Sequence, residues 1–333
     1  MSDRHRRPVI LIITHSNDND SIPMVMDAVA ERGGIAYRFN SDAFPTDIQL
    51  SSQYSGDQEH QLLSCDDYEL DLSTVSAVWY RRVAMGQHIP DTMDPQLRRA
   101  AIDESRATIQ GMIASLDAFH LDPVYRLRRA ENKQLQLKIA REVGLEIPRT
   151  LITNEPEAVR RFARECRQWI IMKTLSSFAI YERGEQKVVF TNSVRTQDLE
   201  HLADLRYCPA TFQEQVPKAL ELRTTIVADR VFTASIDSQR SEKSSIDWRR
   251  DGLGLIDAWE PYELPAEVEE RLLKLMRFLG LNYGAADFIL TPDGDHIFLE
   301  VNPVGEFFWL EKYRGLPLSG AIAQLLVSSH SGR

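Results

Sequence analysis

Asp287, Glu300 and Asn302 are the residues whose types and spacing point most directly to chemistry. They lie in the stretch Ala285-Ala286-Asp287-Phe288-Ile289-Leu290-Thr291-Pro292-Asp293-Gly294-Asp295-His296-Ile297-Phe298-Leu299-Glu300-Val301-Asn302-Pro303, which reads as a β-hairpin. Pro292-Asp293-Gly294 places Pro at i+1 and Gly at i+3 of a type I turn. A four-residue loop from Pro292 to Asp295 would then set Thr291 opposite His296. In that register Leu290 pairs with Ile297, Phe288 with Leu299 and Ala286 with Val301, giving a buried apolar face. The other face carries Asp287 opposite Glu300, with Asn302 two residues along the same strand and Ile289 and Phe298 beside them. Two carboxylates and an amide oxygen gathered within about 5 Å form an oxygen-only cage for a hard cation. Like charges opposed across a strand pair destabilise it unless they are neutralised. Mg²⁺ does so, and it typically takes one or two carboxylates together with substrate phosphate oxygens. For a single carboxylate, a hairpin face meeting water is the alternative; three ligand-type residues in register favour the metal.

A phosphate-binding site also needs cations. Lys133 opens a helix and Lys173 ends a strand, although each taken alone reads more readily as a solvated surface lysine than as a phosphate ligand. The pattern GxxxxGK[ST] is missing from the sequence, which excludes a P-loop.

The elements that position these residues follow from local pattern. Val9-Ile10-Leu11-Ile12-Ile13-Thr14 is a continuous apolar run, as in a strand buried on both faces of a parallel sheet. A helix is expected from Ile22 to about Arg32, stopped by Gly33-Gly34, and then a strand from Ile35 to Phe39. This βαβ opening lacks GxGxxG, so dinucleotide binding is not inferred. Ala77-Val78-Trp79-Tyr80-Arg81-Arg82 is a strand delivering two arginines, a long helix covers Pro95 to Leu116, and Asp122-Pro123 closes the unit. Further on, helices are expected over Gln134 to Val143 and Pro156 to Cys166. Trp169 to Lys173 reads as a strand, followed by the small polar loop Thr174 to Ser177. Lys187 to Thr191 is a strand, Thr196 caps a short helix through Leu202, and Thr211 to Pro217 is a strand running into a linker. Glu221 to Val227 and Val231 to Ile236 pair around Asp229, and a helix from Pro265 to Leu279 precedes the hairpin.

The length of 333 residues accommodates two or three domains, and a 43% hydrophobic content supports a sizeable core. A net charge of −10 argues against a general nucleic-acid binder. No apolar run approaches the roughly 18 residues of a membrane span, and Val9 to Ile13 is too short for a signal-peptide core. Cys65, Cys166 and Cys208 are scattered and form no CxxC. That pattern points to reduced thiols in a cytoplasmic protein and away from zinc.

The ordered series Lys133, Lys173, Glu214-Gln215-Val216, Glu221-Leu222-Arg223, Asp287 and Glu300-Val301-Asn302 resembles the ATP-grasp enzymes over nearly the whole chain. Four segments narrow the likeness to the graspetide synthetases, the ligases of microviridin biosynthesis. They are Ala77 to Arg82, Phe119-His120-Leu121-Asp122-Pro123, Phe212-Gln213-Glu214 and Asn302-Pro303-Val304-Gly305-Glu306-Phe307-Phe308-Trp309-Leu310-Glu311. The last is most similar to the member that forms ω-ester bonds. The resemblance implies a mixed α/β and α+β chain: an ATP-grasp fold behind an N-terminal α/β (pre-ATP-grasp) domain. The expected divisions are 1–125, a central subdomain 126–212, and a C-terminal subdomain 213–333 carrying the Mg²⁺ site.

The activity implied is ATP-dependent macrocyclisation. Asp or Glu side chains of a ribosomally made precursor peptide are activated as acyl phosphates, and Thr or Ser hydroxyls of the same peptide then attack. By the same resemblance, Lys133 and Lys173 contact ATP phosphates, and Glu214, Gln215 and Val216 line the adenine slot through their backbone. Asp287, Glu300 and Asn302 hold Mg²⁺, and Arg223 steadies the transferred phosphoryl group, with a strand ion pair to Glu221 or a neighbour as its alternative. The partner is the precursor peptide, leader plus core, with no nucleic acid or membrane; a homodimer is left open. Asp198 is the carboxylate chosen for a leader arginine, with a helix N-terminal acid as the alternative. Arg81 and Arg82 either face an acidic core peptide or form an interdomain ion-pair set. An ω-amide-forming sibling, a ligase of free amino acids and a noncatalytic nucleotide-binding regulator are the competing readings.

Overall fold

The computed structural model describes residues 7–175, 179–182, 185–188, 191–240 and 254–329. The apolar run is β1 (Val9–Thr14), followed by α1 (Ser21–Glu31) and by β2 (Ile35–Asn40), parallel to β1. An antiparallel meander of β3 (Gln49–Ser55), β4 (Gln58–Ser64) and β5 (Glu69–Asp71) comes next. It left little trace in the sequence because its outer strand is almost wholly polar and exposed. β6 (Ala77–Tyr80) then pairs with β1 on the side away from β2, and α2 (Pro95–Ser115) leads to β7 (Phe119–Leu121). The result is a parallel sheet in the order β2-β1-β6-β7. Both faces of β1 are covered. Leu11 and Ile13 pack with Val78, Ile109 and Met112, while Ile10 and Ile12 pack with Ile22, Val25 and Val29. Two-sided burial is why the strand is continuously apolar rather than alternating.

α3 (Val124–Ala130) and α4 (Lys133–Glu142) come next, the latter capped by the Asn132 side chain on Leu135 N at 3.1 Å. A second sheet is formed by β8 (Thr150–Thr153), β9 (Ile170–Lys173), β12 (Asn192–Ser193) and β13 (Ala210–Glu214), with α5 (Pro156–Glu165) after β8 and a separate two-stranded hairpin of β10 (Ala179–Glu182) and β11 (Glu185–Val188) after β9. Its order is β12-β9-β13-β8, with α5 laying Val159, Phe162 and Ala163 against Ile170 and Phe212. The expected loop at 174–177 and strand at 187–191 run partly outside the described residues, at 176–177 and 189–190. The helix expected after Thr196 is a 3-10 segment, Thr196–Glu200, and Arg195 rather than Thr196 stands at its N-cap.

The third sheet is antiparallel, in the order β16-β15-β14-β17-β18. Its members are β14 (Leu220–Val227), β15 (Arg230–Ile236), β16 (Glu260–Tyr262), then α6 (Ala266–Leu279), β17 (Tyr283–Leu290) and β18 (His296–Asn302). α7 (Phe308–Arg314) and α8 (Leu318–Ser328) end the described chain. α8 turns back onto α1, so Ile322, Ala323 and Leu326 share one core with Ile22, Val25, Trp259, Tyr283 and Phe307. Burying each of these large aliphatic side chains contributes about 1.5–3 kcal/mol.

The expected divisions at 125/126 and 212/213 fall inside α3 and β13. Leu127 and Ala130 of α3 and Ile139 and Ala140 of α4 join the core of the third sheet, whereas Phe212 belongs with the second. No described helix is long and apolar enough to cross a membrane, and the three cysteines are free thiols.

Candidate functional site

The β17–β18 hairpin places Asp287 directly opposite Glu300, Ala286 opposite Val301 and Ala285 opposite Asn302. Its turn differs from the expected one. Leu290, not Thr291, faces His296, because Thr291 N donates to Asp295 O at 2.9 Å and closes a five-residue loop with Gly294 at φ +96°. This pairing continues through Ile289 with Ile297 and Phe288 with Phe298, after which a bulge sets Asp287 against Glu300. Leu299 is the extra residue. The expected pair Phe288–Leu299 is therefore replaced by Phe288–Phe298, edge to face at 5.5 Å between ring centres. Both rings lie in the core, so Phe298 is not on the acidic face. A G1-type turn shifts the register by one, and the bulge shifts it back before the acidic residues.

Two cations hold the acidic pair. Arg223 lies opposite Asp287 on β14, with Nη1 2.9 Å from Oδ1, and its side chain is 8% exposed. Lys133, at the start of α4, reaches Glu300 Oε2 at 3.1 Å and Asn302 Oδ1 at 3.2 Å. Asn302 Nδ2 donates toward Asp287 Oδ2 at 3.3 Å and Glu300 Oε1 at 3.2 Å. Lys133, Arg223, Asp287, Glu300 and Asn302, distant in sequence, thus meet at one place. No group of three His, Cys, Asp or Glu stands together among the described residues. A cation here would rest on two carboxylates and one amide, which suits a hard ion that completes its shell with phosphate oxygens. Asn302 turns its nitrogen to the carboxylates; half a turn of the amide presents its oxygen instead. Arg223 Nε is buried and finds no acceptor among the described residues.

Lys173 ends β9. Ile170 and Met172 pack toward α5, so alternation puts Lys173 on the opposite face, together with Thr150 and Ile152 across the sheet. Thr150 and Ile152 line a cavity of about 870 Å³ shared with Gln134, Leu137 and Arg141 of α4. A smaller cavity of about 190 Å³ is lined by Lys133, Gln134 and Leu175, two residues beyond Lys173. Lys133 thus lines the smaller part of the cleft between the second sheet and α4, and Lys173 stands on the sheet face whose Thr150 and Ile152 line the larger part. At its hinge, Glu214 N donates to Arg149 O and Gln215 N to Trp169 O, both at 3.0 Å. The Glu214 carboxylate is gripped by Arg149 at 3.0 Å. Of the three slot residues, only Val216 has an N–H outside these bonds.

The remaining sequence candidates are placed elsewhere. Arg81 is buried, with Nε 2.9 Å from Asp18 Oδ2 and Nη2 2.7 Å from Glu306 Oε1. This is the interdomain ion pair, and the side chain offers no surface to a core peptide. Arg82 also meets Glu306 Oε1 at 2.7 Å but is 43% exposed. Burial pushes the Asp18 carboxyl up, yet hydrogen bonding and charge from Arg81 outweigh it and hold the group at about 2. Asp198 is half-exposed, and Arg195 engages it through its backbone N at 2.8 Å and through Nη2 at 3.1 Å. That is an N-terminal capping arrangement.

Sequence reasoning missed three supports. Gln136, buried in α4, donates to Val301 O at 2.8 Å and accepts from Val301 N at 2.9 Å, fixing the residue between Glu300 and Asn302. The i, i+3 step from Lys133 to Gln136 on one helix was the available signal. Asp122 accepts from Asn282 N at 2.8 Å and Tyr283 N at 3.0 Å, anchoring the start of β17; burial pushes its carboxyl up to about 6. Glu306 is the third, and nothing local in the sequence marks it as the partner of Arg81.

Residues 9–128 match the family model described as the MvdD pre-ATP grasp domain. Among solved structures, the chain is 50% identical to the macrocyclase MdnC of Microcystis aeruginosa MRC, crystallised with precursor peptide MdnA. The match covers 96% of this chain and 99% of that one with a TM-score of 0.87. It is 40% identical to a Chryseobacterium gregarium RiPP-associated ATP-grasp ligase in complex with ADP and a leader and core peptide, covering 96% of each chain with a TM-score of 0.91. The macrocyclase MdnB of Microcystis aeruginosa MRC is 37% identical over 96% of this chain and 99% of that one, with a TM-score of 0.81. No curated protein matched.

Proposed function

Because the chain belongs to the graspetide synthetases, ADP-forming ligases of ATP-grasp fold, we propose that it closes rings in a ribosomally made precursor peptide at the expense of ATP. The observation that carries this reading is the convergence of Lys133 and Arg223 on Asp287, Glu300 and Asn302. A hard cation beside two fixed cationic side chains is what phosphoryl transfer to a carboxylate needs, since charge builds on nonbridging oxygens during the transfer.

In this reading Lys133 and Lys173 bind phosphate oxygens of ATP from the two walls of the cleft, and the Val216 N–H receives the adenine edge. Mg²⁺ held by Asp287, Glu300 and the turned Asn302 amide supplies charge neutralisation. Arg223 holds the transferred group in place. An Asp or Glu carboxylate of the peptide attacks the γ-phosphorus, and the bond to the β,γ-bridging oxygen breaks to release ADP. A Thr or Ser hydroxyl of the same peptide then attacks the acyl carbon; phosphate leaves and the hydroxyl proton is lost. The preference for an ω-ester over an ω-amide, and for a microviridin-type product, rests on the likeness of Asn302 to Glu311 to the ester-forming member. Asp198 is the proposed contact for a leader arginine, which would have to compete with Arg195. Arg82, half-exposed, is the remaining candidate for the core peptide.

Incubating a candidate precursor with the enzyme, ATP and Mg²⁺ tests this. Mass spectrometry should show a loss of one water per ring, with one ADP formed for each, and mild alkali should reopen the rings. Alkali-stable rings would favour the amide. ATP turnover with free amino acids but not with precursor would favour the amino-acid ligase.

A further inference from the structure

In open α/β sheets, ligands settle outside the carboxyl ends of the strands, where the strand order reverses. Here the order β2-β1-β6-β7 puts that crevice between β1 and β6. Asp18 follows β1 and Arg81 follows β6, and the side chain that enters between them is Glu306, from the third sheet's side of the molecule. Its Oε1 takes Arg81 and Arg82, each at 2.7 Å. Its Oε2 takes Asn19 Nδ2, and Ser21 Oγ at 3.2 Å. The crevice that a nucleotide would use is filled by the protein's own carboxylate.

The same residue reaches the acidic face by its backbone: Arg223 Nη2 donates to Glu306 O at 3.1 Å. The loop between is held on both sides. Tyr283 OH donates to Gly305 O at 2.6 Å, and Phe307 is fully buried. Gly305 has no room for a side chain: an added Cβ would lie 2.5 Å from Ala285 Cβ and 2.8 Å from Arg223 Nη2. Arg223 is therefore set by two acceptors, Asp287 on β17 and the Glu306 carbonyl, and the second is held by its packed neighbours Gly305 and Phe307 together with the anchored Glu306 side chain.

We propose that Glu306 is a positioning residue for Arg223, so that the N-terminal α/β domain, through Arg81 and Asp18, forms a working part of the transfer site. This rests on the reading of Arg223 as the residue that holds the transferred phosphoryl group. Replacing the carboxylate by an amide keeps the shape but weakens the anchor and lets the 302–307 loop, and with it the guanidinium, drift.

The test is a double-mutant cycle on the full-length enzyme with precursor, ATP and Mg²⁺, following ADP release. Glu306→Gln should lower kcat between about 10- and 100-fold, the scale of an ångström-sized misplacement, with KM for ATP unchanged. In an Arg223→Ala background the same substitution should have no further effect. Near wild-type kcat for Glu306→Gln, or losses that multiply in the double variant, overturns the proposal while leaving the role of Arg223 intact. An Arg223→Ala enzyme of normal activity removes the underlying reading instead. Should Glu306→Gln prove unfolded by circular dichroism, Arg82→Met removes only the half-exposed anchor. A smaller kcat loss that vanishes in the Arg223→Ala background supports the proposal, and a change confined to KM for the precursor overturns it.

Discussion

Arg223 and Asp287 face each other on neighbouring antiparallel strands, and Arg223 Nη1 stands 2.9 Å from Asp287 Oδ1. The guanidinium spans two acceptors, since Nη2 also reaches Glu306 O. A lysine keeps the charge but not this fork. Arg223→Lys is therefore expected to lower kcat by about 10²-fold or more, with a smaller change in KM for ATP. Steady-state ADP release measures this, and activity within a few-fold of wild type would show that the fork is dispensable.

Gln136 satisfies both the N–H and the C=O of Val301 from inside the core. Gln136→Leu fills the space, leaves Val301 N without its partner and leaves Val301 O with only Lys133 Nζ at 3.3 Å, at a cost of about 1–3 kcal/mol for the unsatisfied buried N–H. Urea unfolding should show a lower midpoint with an unchanged slope. Because Val301 lies between Glu300 and Asn302, kcat should fall as well; an unchanged midpoint would mean that Val301 is held by other contacts.

Asp122 gives a pH signature of definite sign. Burial raises its folded-state value to about 6 from an ordinary 3.8, so the folded protein binds this proton more tightly than the unfolded chain. Its contribution is fully present below pH 4 and is lost as the pH rises through about 6, an effect on the order of 3 kcal/mol. Asp122→Asn imitates the protonated form and should remove this decline. Comparing unfolding free energies at pH 4 and pH 7 for the two proteins tests it; parallel profiles would show that Asp122 titrates normally.

The acidic face was legible because Asp287, Glu300 and Asn302 are carried by one short hairpin whose apolar alternation fixes their side. Even so, the register came out right through two compensating features that alternation cannot reveal, the five-residue loop and the bulge at Leu299. The parallel sheet was legible in β1, where two-sided burial leaves a continuous apolar run. Arg81 was seen as a strand-end arginine, but its acceptor Glu306 lies at the far end of the chain in a loop without periodicity. The same kind of long-range packing brings Leu127 and Ala130 of α3 and Ile139 and Ala140 of α4 into the third sheet's core, which no local pattern marks.

Asp198 should bind a leader arginine only in competition with Arg195. Asp198→Ala is expected to weaken leader-peptide binding about tenfold, the effect of losing one charge-assisted contact, and to leave ATP binding unchanged. Arg195→Ala should strengthen leader binding by freeing the carboxylate. Fluorescence anisotropy with labelled leader peptide reads both; equal affinities in all three proteins would confine Asp198 to capping its 3-10 segment.

Glu300 carries the account most directly, because it is held by Lys133, faces Asp287 and stands two residues from Asn302. The decisive measurement is ADP release coupled to ring closure by Glu300→Gln at saturating Mg²⁺, beside circular dichroism of the same preparation. The amide keeps size and shape but removes one of two carboxylates from the cation set, and the expected loss in kcat is about 10²-fold or greater with an unaltered spectrum. Near wild-type turnover by a folded Glu300→Gln enzyme would contradict the assignment of this hairpin as the metal and phosphoryl-transfer site.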